Sequence, residues 1–399
     1  MSQASRVGDS RFRQFHGGEL MARYKTIAIL THFEDLSDPR IDRTKQHLLL
    51  DMVTIALVAA ICGANTWTDV ERFGNAKEEW FTKFLELPNG IPSHDTFGRV
   101  FARLDTEEFY ACLHNWVRSL NLDLKGRGVA LDGKAIRHSF DTASGKSALH
   151  IVSAWISDLG IALGQIAVDE KSNEIPAVPQ LLMALELTGA VVTVDAMHCQ
   201  KETAAAILAK DADYVFTVKA NQPTLYQAML DLFAGYGEND FQSPELRTHT
   251  TVDRSHGRIE RRTYYVAPAP AEWISRGEWP GLKSVAMVYR SRNVNGKISE
   301  ETAYIISSLP PKPKTLAKHI RGHWGIENNL HWTLDVTFAE DQSRIRKGTG
   351  QEIAGVFRRL ALTMLMQDTS IKSSLRGKRL LAGWNNEILE GILCGFPGV

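Results

Sequence analysis

Three acidic residues stand where carboxylates can do chemistry. Asp132 follows Val129 to Leu131 in G-V-A-L-D-G-K-A-I-R-H, which reads as a short buried strand delivering one carboxylate, with Gly133 letting a ligand approach. Asp195 ends the same kind of run in A-V-V-T-V-D-A-M, Ala190 to Met197. Glu327 lies in R-G-H-W-G-I-E-N-N-L-H-W-T-L-D-V, which reads as a helix. Three carboxylates brought together without a counter-ion would repel, and at least one would protonate near neutral pH. Divalent cations remove that conflict. Two ions about 3.5 to 4 Å apart can activate a water or a 3′-hydroxyl while stabilising the leaving oxygen of a phosphodiester. Hard oxygen ligands with few histidines select magnesium or manganese over zinc. The reaction class so indicated is in-line phosphoryl transfer.

Each acid also has a plainer reading. Asp132 in D-G could start a turn, and Asp195 could cap the helix that follows it. Asp335, Glu340 and Asp341 follow Glu327 closely, and any of them could supply the third ligand. His323, Glu327 and His331 share a helical face at i, i+4 spacing, as in some zinc sites, but zinc there leaves the two strand-end aspartates unexplained. His323, Trp324, His331 and Trp332 could equally be packing residues of an amphipathic helix.

The elements that must position these acids change along the chain. After a loose polar tail at 1–30, with Met21 a candidate start, residues 31–124 carry a helical pattern. Apolar faces run through Lys45 to Ala64 and Trp67 to Leu85. I-P-S-H-D-T-F-G-R-V-F-A-R-L-D then sets Phe97, Val100, Phe101 and Leu104 at helical spacing, with Arg99 and Arg103 on another face. This predicts a helix-turn-helix-like unit in which Arg99 and Arg103 contact DNA, against the alternative of solvated helices. From Gly126 the period shortens. Val129 to Arg137, Leu149 to Ile156 and Ile161 to Val168 read as an antiparallel meander, joined by the loop around Ser144 to Lys146 and a turn at Asp158 to Gly160. Helix Pro176 to Leu187, strand Val191 to Asp195, helix Lys201 to Lys210 and strand Tyr214 to Lys219 then imply a parallel continuation. The expectation is an α/β fold with a mixed, ribonuclease-H-like sheet, whose first part spans 125–236.

Residues 237–312 read as a β-rich insertion between the second aspartate and the glutamate. Its hairpin crests, Arg254 to Arg262 and Arg290 to Lys297, are densely basic, and the second has an Asn-Gly turn. They are either solvated hairpins or a clamp on DNA backbone, with Arg258 and Arg261 as its contacts. Residues 313–399 complete the core with the glutamate helix and add basic C-terminal helices. Arg344, Arg346, Lys347, Arg358, Arg359, Lys372, Arg376, Lys378 and Arg379 lie there, as a polyanion partner would require.

Bulk composition narrows the field less. In 399 residues Lys+Arg and Asp+Glu are both 46, so any nucleic-acid binding must rest on local patches. Cys62, Cys112, Cys199 and Cys394 have no C-x-x-C spacing, which argues against structural zinc and a disulfide framework and for a reducing cytoplasm. The longest apolar run, Met52 to Ala64, is too short for a membrane span.

I-P-S-H-D-T-F-G-R-V, L-D-G-K-A-I-R, T-V-D-A-M-H-C-Q, Y-V-F-T-V-K-A-N-Q-P-T-L, H-G-R-I-E-R-R and H-W-G-I-E-N-N-L-H-W-T-L-D-V-T-F-A-E-D, in this order, resemble the DDE transposases of the H-repeat-associated insertion-sequence group. The resemblance runs from about Phe33 into the C-terminal helices. It implies that Asp132, Asp195 and Glu327 are a catalytic triad holding Mg²⁺ or Mn²⁺, and that 237–312 is the family's interruption before the glutamate. It implies a protein that binds terminal inverted repeats in double-stranded DNA, cleaves there and joins the ends to target DNA, as at least a dimer. Lys134, Arg137, Lys219, Asn221, Gln222, Arg321 and His323 are further candidate DNA contacts. Many related transposases carry Y-x2-R-x3-E-x6-K around the glutamate, where this sequence has Ile320, His323 and Leu334, so Arg321, His323, His319 or Lys318 would make the phosphate contacts instead. The alternatives are a ribonuclease-H-like nuclease without strand transfer and a DNA-binding descendant no longer catalytic.

Overall fold

The computed structural model describes residues 28–140, 145, 147–168, 174–255 and 257–395. Most of the tail read over 1–30, and Ser144 and Lys146 of the meander loop, fall outside them.

Nine strands form one sheet: β1 Gly128–Ala135, β2 His150–Ile156, β3 Ile161–Val168, β4 Val191–Val194, β5 Asp213–Val218, β6 Arg247–Ser255, β7 Arg258–Pro268, β8 Ser284–Val294 and β9 Lys297–Ser307. Their order is β3-β2-β1-β4-β5-β9-β8-β7-β6. β1, β2 and β3 are antiparallel, whereas β1, β4 and β5 are parallel, which is the ribonuclease-H-like arrangement. The central strands are covered on both faces and so read as runs of apolar or β-branched residues: Val129 to Leu131 and Val191 to Val194, Thr193 included, are all buried.

The β-rich stretch between the second aspartate and the glutamate is a four-stranded meander, and its last strand pairs with β5 from Val215↔Ser307 to Val218↔Tyr304. It therefore extends the same sheet. The Asn-Gly turn lies where β8 meets β9, with Asn295 at φ 51° and Gly296 at φ 85°, the positive pair that a two-residue hairpin requires.

Helices close both ends of the chain against this sheet. Leu49–Ile61 is buried almost all round and packs against Gly350–Gln367. Thr66 and Asp69 form a reciprocal capping box at the start of Trp67–Ala76, and Ser93 caps His94–Phe101. Phe357 of the late helix lies edge-on to Phe101 at 5.6 Å and to Phe109 at 5.5 Å, so N-terminal and C-terminal helices share one apolar core. Four of the nine late basic residues, Arg358, Arg359, Lys378 and Arg379, are buried. Lys378 and Arg379 are spent on main-chain carbonyls, including Leu365, Ala60 and Ile61, so these four are not available to the polyanion partner for which the late positive charge was read. Among the described residues no helix is long and apolar enough to cross a membrane.

Candidate active site

β1 and β4 pair in parallel with Leu131 opposite Val194, and each strand's next residue is an aspartate. Asp132, partway along β1, and Asp195, directly after β4, therefore lie side by side at matching register; β1 continues to Ala135 in its pairing with β2, so the first aspartate is not the strand end that the sequence suggested. The Gly133 amide donates to Asp132 Oδ1 at 2.9 Å, and the Ala196 amide donates to Asp195 Oδ1 at 2.6 Å. Asp195 is exposed and Asp132 half-buried.

Glu327 arrives from the other side of the chain. The glutamate motif, read as a helix, is not one regular helix: the chain is α-helical over Pro313–His323, passes through a π-helical turn over Ile326–His331, and resumes as an α-helix over Trp332–Val336. A π turn inserts an extra residue into the helical repeat and is common where a side chain must be re-aimed for function. Ile326, Leu330 and Leu334 anchor it in the core, leaving Glu327 exposed. His331 is buried beneath, its Nδ1 3.1 Å from Glu327 Oε2 and 3.5 Å from Asp132 Oδ2. Burial lowers the His331 pKa, and the Glu327 carboxylate works against that.

Asp132, Glu327 and His331 each offer a ligand atom within 4.8 Å of the others, the one such trio found among the described residues. Two hard oxygens and one imidazole, with Asp195 on the neighbouring strand, suit a divalent cation. The Nε2 of His331 is buried with no hydrogen-bond partner, so its ring is not committed elsewhere on that side. The sequence marked His331 only through its i+4 spacing from Glu327. His323, the other member of that face, turns away and places Nδ1 2.9 Å from Thr193 Oγ1 on β4. Burial lowers the His323 pKa, with the Asp195 carboxylate pulling the other way.

The other acids near Glu327 are engaged in charge pairs. Lys134, two residues past Asp132, puts its ammonium against Asp335 and within 3.1 Å of Glu340 and 3.4 Å of Asp341. Burial opposes that charge, but Glu340, followed by Asp335 and Asp341, holds the Lys134 pKa above its ordinary value. Glu340 is fully buried and also 2.9 Å from Arg359, which in turn donates to Ser153 Oγ on β2. Desolvation would raise the Glu340 carboxyl, yet Arg359, Lys134 and Arg358 together bring it down to about 2.

Asn221 and Gln222 brace the loop that follows Asp195. Asn221 Nδ2 donates to the Ala196 carbonyl at 2.7 Å, and Gln222 Nε2 donates to the Cys199 carbonyl at 2.9 Å. The exposed Lys219 ammonium lies 3.8 Å from Asp195.

The remaining candidate contacts are dispersed. Arg137 is exposed and reaches Asp341 at 3.3 Å. Arg99 and Arg103 are exposed and line a cleft of about 420 Å³ with Arg40, Arg43 and His47. Arg261 is exposed and Arg258 half-buried on β7, and Arg321 pairs with Asp253 at 3.0 Å. Of the positions where the E-centred signature departs, Leu334 is buried in the core and His323 is tied to Thr193.

Known proteins share this sequence over most of its length. A family model described as a transposase DDE domain matches residues 123–364, and one described as associated with that domain matches residues 30–117. The chain is 35% identical over 372 residues to a protein named as an H repeat-associated transposase, YhhI of Escherichia coli K12, covering 92% of this chain and 98% of that protein. It is 36% identical over 376 residues to the transposase-named YncI of Escherichia coli O157:H7, covering 92% of this chain and 94% of that one. Among solved structures, the piggyBac transposase in a synaptic complex with hairpin DNA aligns at a TM-score of 0.43 and 10% identity, over 94% of this chain and 79% of that chain.

Proposed function

This chain belongs to the transposase DDE-domain family, and on that premise we propose that it cuts DNA at the ends of its own element and joins the exposed 3′-hydroxyls to target DNA. The observation that carries the reading is the convergence of Asp132 and Asp195, one step past the paired residues Leu131 and Val194, with Glu327 brought within ligand distance of Asp132.

In this reading Asp132, Asp195 and Glu327 hold Mg²⁺ or Mn²⁺. Such ions, when bound, lower the pKa of an attacking oxygen and stabilise the leaving one. The chain's own residues set the arrangement. The paired strands fix the two aspartates against each other, the π turn delivers the glutamate, and His331 bridges Glu327 to Asp132 from below. The Lys134 network neutralises Asp335, Glu340 and Asp341, leaving Glu327 as the uncompensated acid. Asn221 and Gln222 position the Asp195 loop. DNA contact is assigned to cations that reach solvent: Arg99 and Arg103 in the N-terminal helices, Arg137 and Lys219 near the carboxylates, and, further along the sheet, Arg258 and Arg261 on β7 with Arg321 against β6. Recognition of terminal inverted repeats by at least two copies follows from the need to hold two ends at once, and the cytoplasm is the compartment where that DNA lies.

The test incubates the purified chain with labelled DNA carrying its own gene flanks and magnesium or manganese, beside an Asp132→Asn variant. End-specific nicks and joined products that vanish in the variant are the expected result. Cleavage without joining would favour a ribonuclease-H-like nuclease, and binding without cleavage in either metal would favour a non-catalytic DNA-binding descendant.

A further inference from the structure

Far from the carboxylates along the sheet, one buried acid is ringed by arginines. Glu260 on β7 is 1% exposed. Around it lie Arg262, in direct ion-pair contact, Arg290 and Arg292, both at 3.4 Å, and Arg258 at 3.6 Å. Strand geometry explains the gathering. Arg258, Glu260 and Arg262 alternate along β7 and so share a face. Arg292 is the cross-strand partner of Glu260 on β8, and Arg290 is that of Arg262. The same face, further along, carries Tyr264 and Val266, which pack under Leu316 and Ala317 of the helix leading to Glu327.

One carboxylate does not need four guanidiniums. Each guanidinium carries five N–H donors, and two oxygens can accept only a few of them. Asp253 takes Arg262 at 2.6 Å and Arg321 at 3.0 Å, and Glu301 takes Arg290 at 2.8 Å. Five guanidiniums thus face three carboxylates, leaving positive charge and donors in excess. The excess is accessible at one side, where the Arg258 side chain is 37% and that of Arg292 43% exposed. The Arg290 guanidinium also sits 5.8 Å over the ring of exposed Trp324, three residues before Glu327. The surface is therefore continuous with the active-site segment.

We infer that Glu260 is a keystone that fixes Arg258, Arg290 and Arg292 as a sequence-independent grip on the phosphodiester backbone of duplex DNA lying alongside the catalytic carboxylates. The inference rests on the DNA reading above and adds the surface that holds the duplex. Planar guanidiniums locked in place suit bidentate phosphate contact, and backbone contacts position a duplex without reading its sequence. Glu260 is a positioning residue; the arginines touch the ligand.

The test measures fluorescence anisotropy of the full chain with two labelled duplexes, one of its own gene flanks and one of unrelated sequence, between about 50 and 200 mM salt. Arg258→Gln combined with Arg292→Gln should reduce the affinity lost across that salt range by roughly 10-fold, since each phosphate contact contributes a log–log slope of about 0.9. Both duplexes should respond alike. Glu301→Gln, which releases Arg290 on an exposed edge, should tighten both about 3-fold at the low-salt end, an effect that a purely structural cluster would not give. An unchanged salt slope in a folded double variant, or a loss confined to the flank sequence, overturns the grip while leaving the transposase reading in place. If the double variant does not fold, Glu301→Gln decides alone. Failure of the unaltered chain to bind either duplex removes both readings.

Discussion

The side-chain amide of Asn221 donates to the carbonyl of Ala196 at 2.7 Å, and so ties the end of β5 to the residue directly after Asp195. The bond links two parallel strands just beyond their ends, where no ladder hydrogen bond remains to fix the loop. Asn221→Ala should leave DNA affinity nearly unchanged and slow end nicking about 10- to 100-fold, because misplacing a reacting group by about 1 Å costs that much. Gel shift and nicking assays on the same preparation separate the two. A parallel loss of binding would return Asn221 to the DNA-contacting residues.

Gly325 stands immediately before the π turn, where a methyl group would collide with the Ser157 hydroxyl and lie 2.7 Å from the Ser157 Cβ. Gly325→Ala should displace Glu327 and lower nicking by about 10-fold or more. Adding Ser157→Gly makes room and should restore most of it. A Gly325→Ala enzyme of full activity would show that the glutamate segment tolerates movement.

Breaking the Lys134–Glu340–Arg359 network should cost stability more than chemistry. Glu340→Gln leaves two buried cations short of a partner and should destabilise the fold by about 3 to 5 kcal/mol in urea unfolding. The pH dependence has a definite sign. The folded Glu340 pKa of about 2 lies below the unfolded value of about 4.3, so this stabilisation is complete above the unfolded pKa and is lost as pH falls toward about 2. Acid-unfolding curves that keep their slope below about pH 4.3 in Glu340→Gln would assign the acid sensitivity to another group.

Two histidines act in a higher window. Burial, aided by Arg118 beside His114 and by Lys318 beside His319, pushes both imidazoles down to about 4. The unfolded chain, with imidazoles titrating at about 6.5, takes up these protons first, so stability should fall as pH drops from about 6.5 to about 4. His319→Gln should make that slope shallower by up to about one proton, measured as denaturant midpoints at stepped pH.

The two aspartates were legible because their signal is local: a run of buried residues, then an acid, twice; that β1 runs on past Asp132 to Ala135 was not, because it depends on pairing with β2. Glu327 was harder. A period of about 3.6 residues describes the helix on either side of it, but the π turn is set by packing of Ile326, Leu330 and Leu334, and no period announces it. Lys134 reads from the sequence as a candidate DNA contact behind D-G, yet its ammonium lies part-buried among three acids about 200 residues further on. Long-range pairing of this kind leaves no mark in a single sequence. The same limit hid the carbonyl-capping tasks of Lys378 and Arg379, and the seam by which β9 joins β5.

That seam bears on how the protein is made. Until residues near Ser307 have left the ribosome, β5 has no partner on one side, and Tyr214, Val215, Phe216 and Val218 form the margin of an incomplete sheet. A bare apolar margin invites pairing with other chains, and closing it joins segments about 90 residues apart, a slow step for a contact of that separation. Glu327 lies beyond Ser307 in the chain and so is synthesised after the strand that seals the margin. Nascent chains that stop short therefore hold both aspartates but no third acid, and the order of synthesis puts the strand that completes the sheet ahead of the residue that completes the carboxylate group.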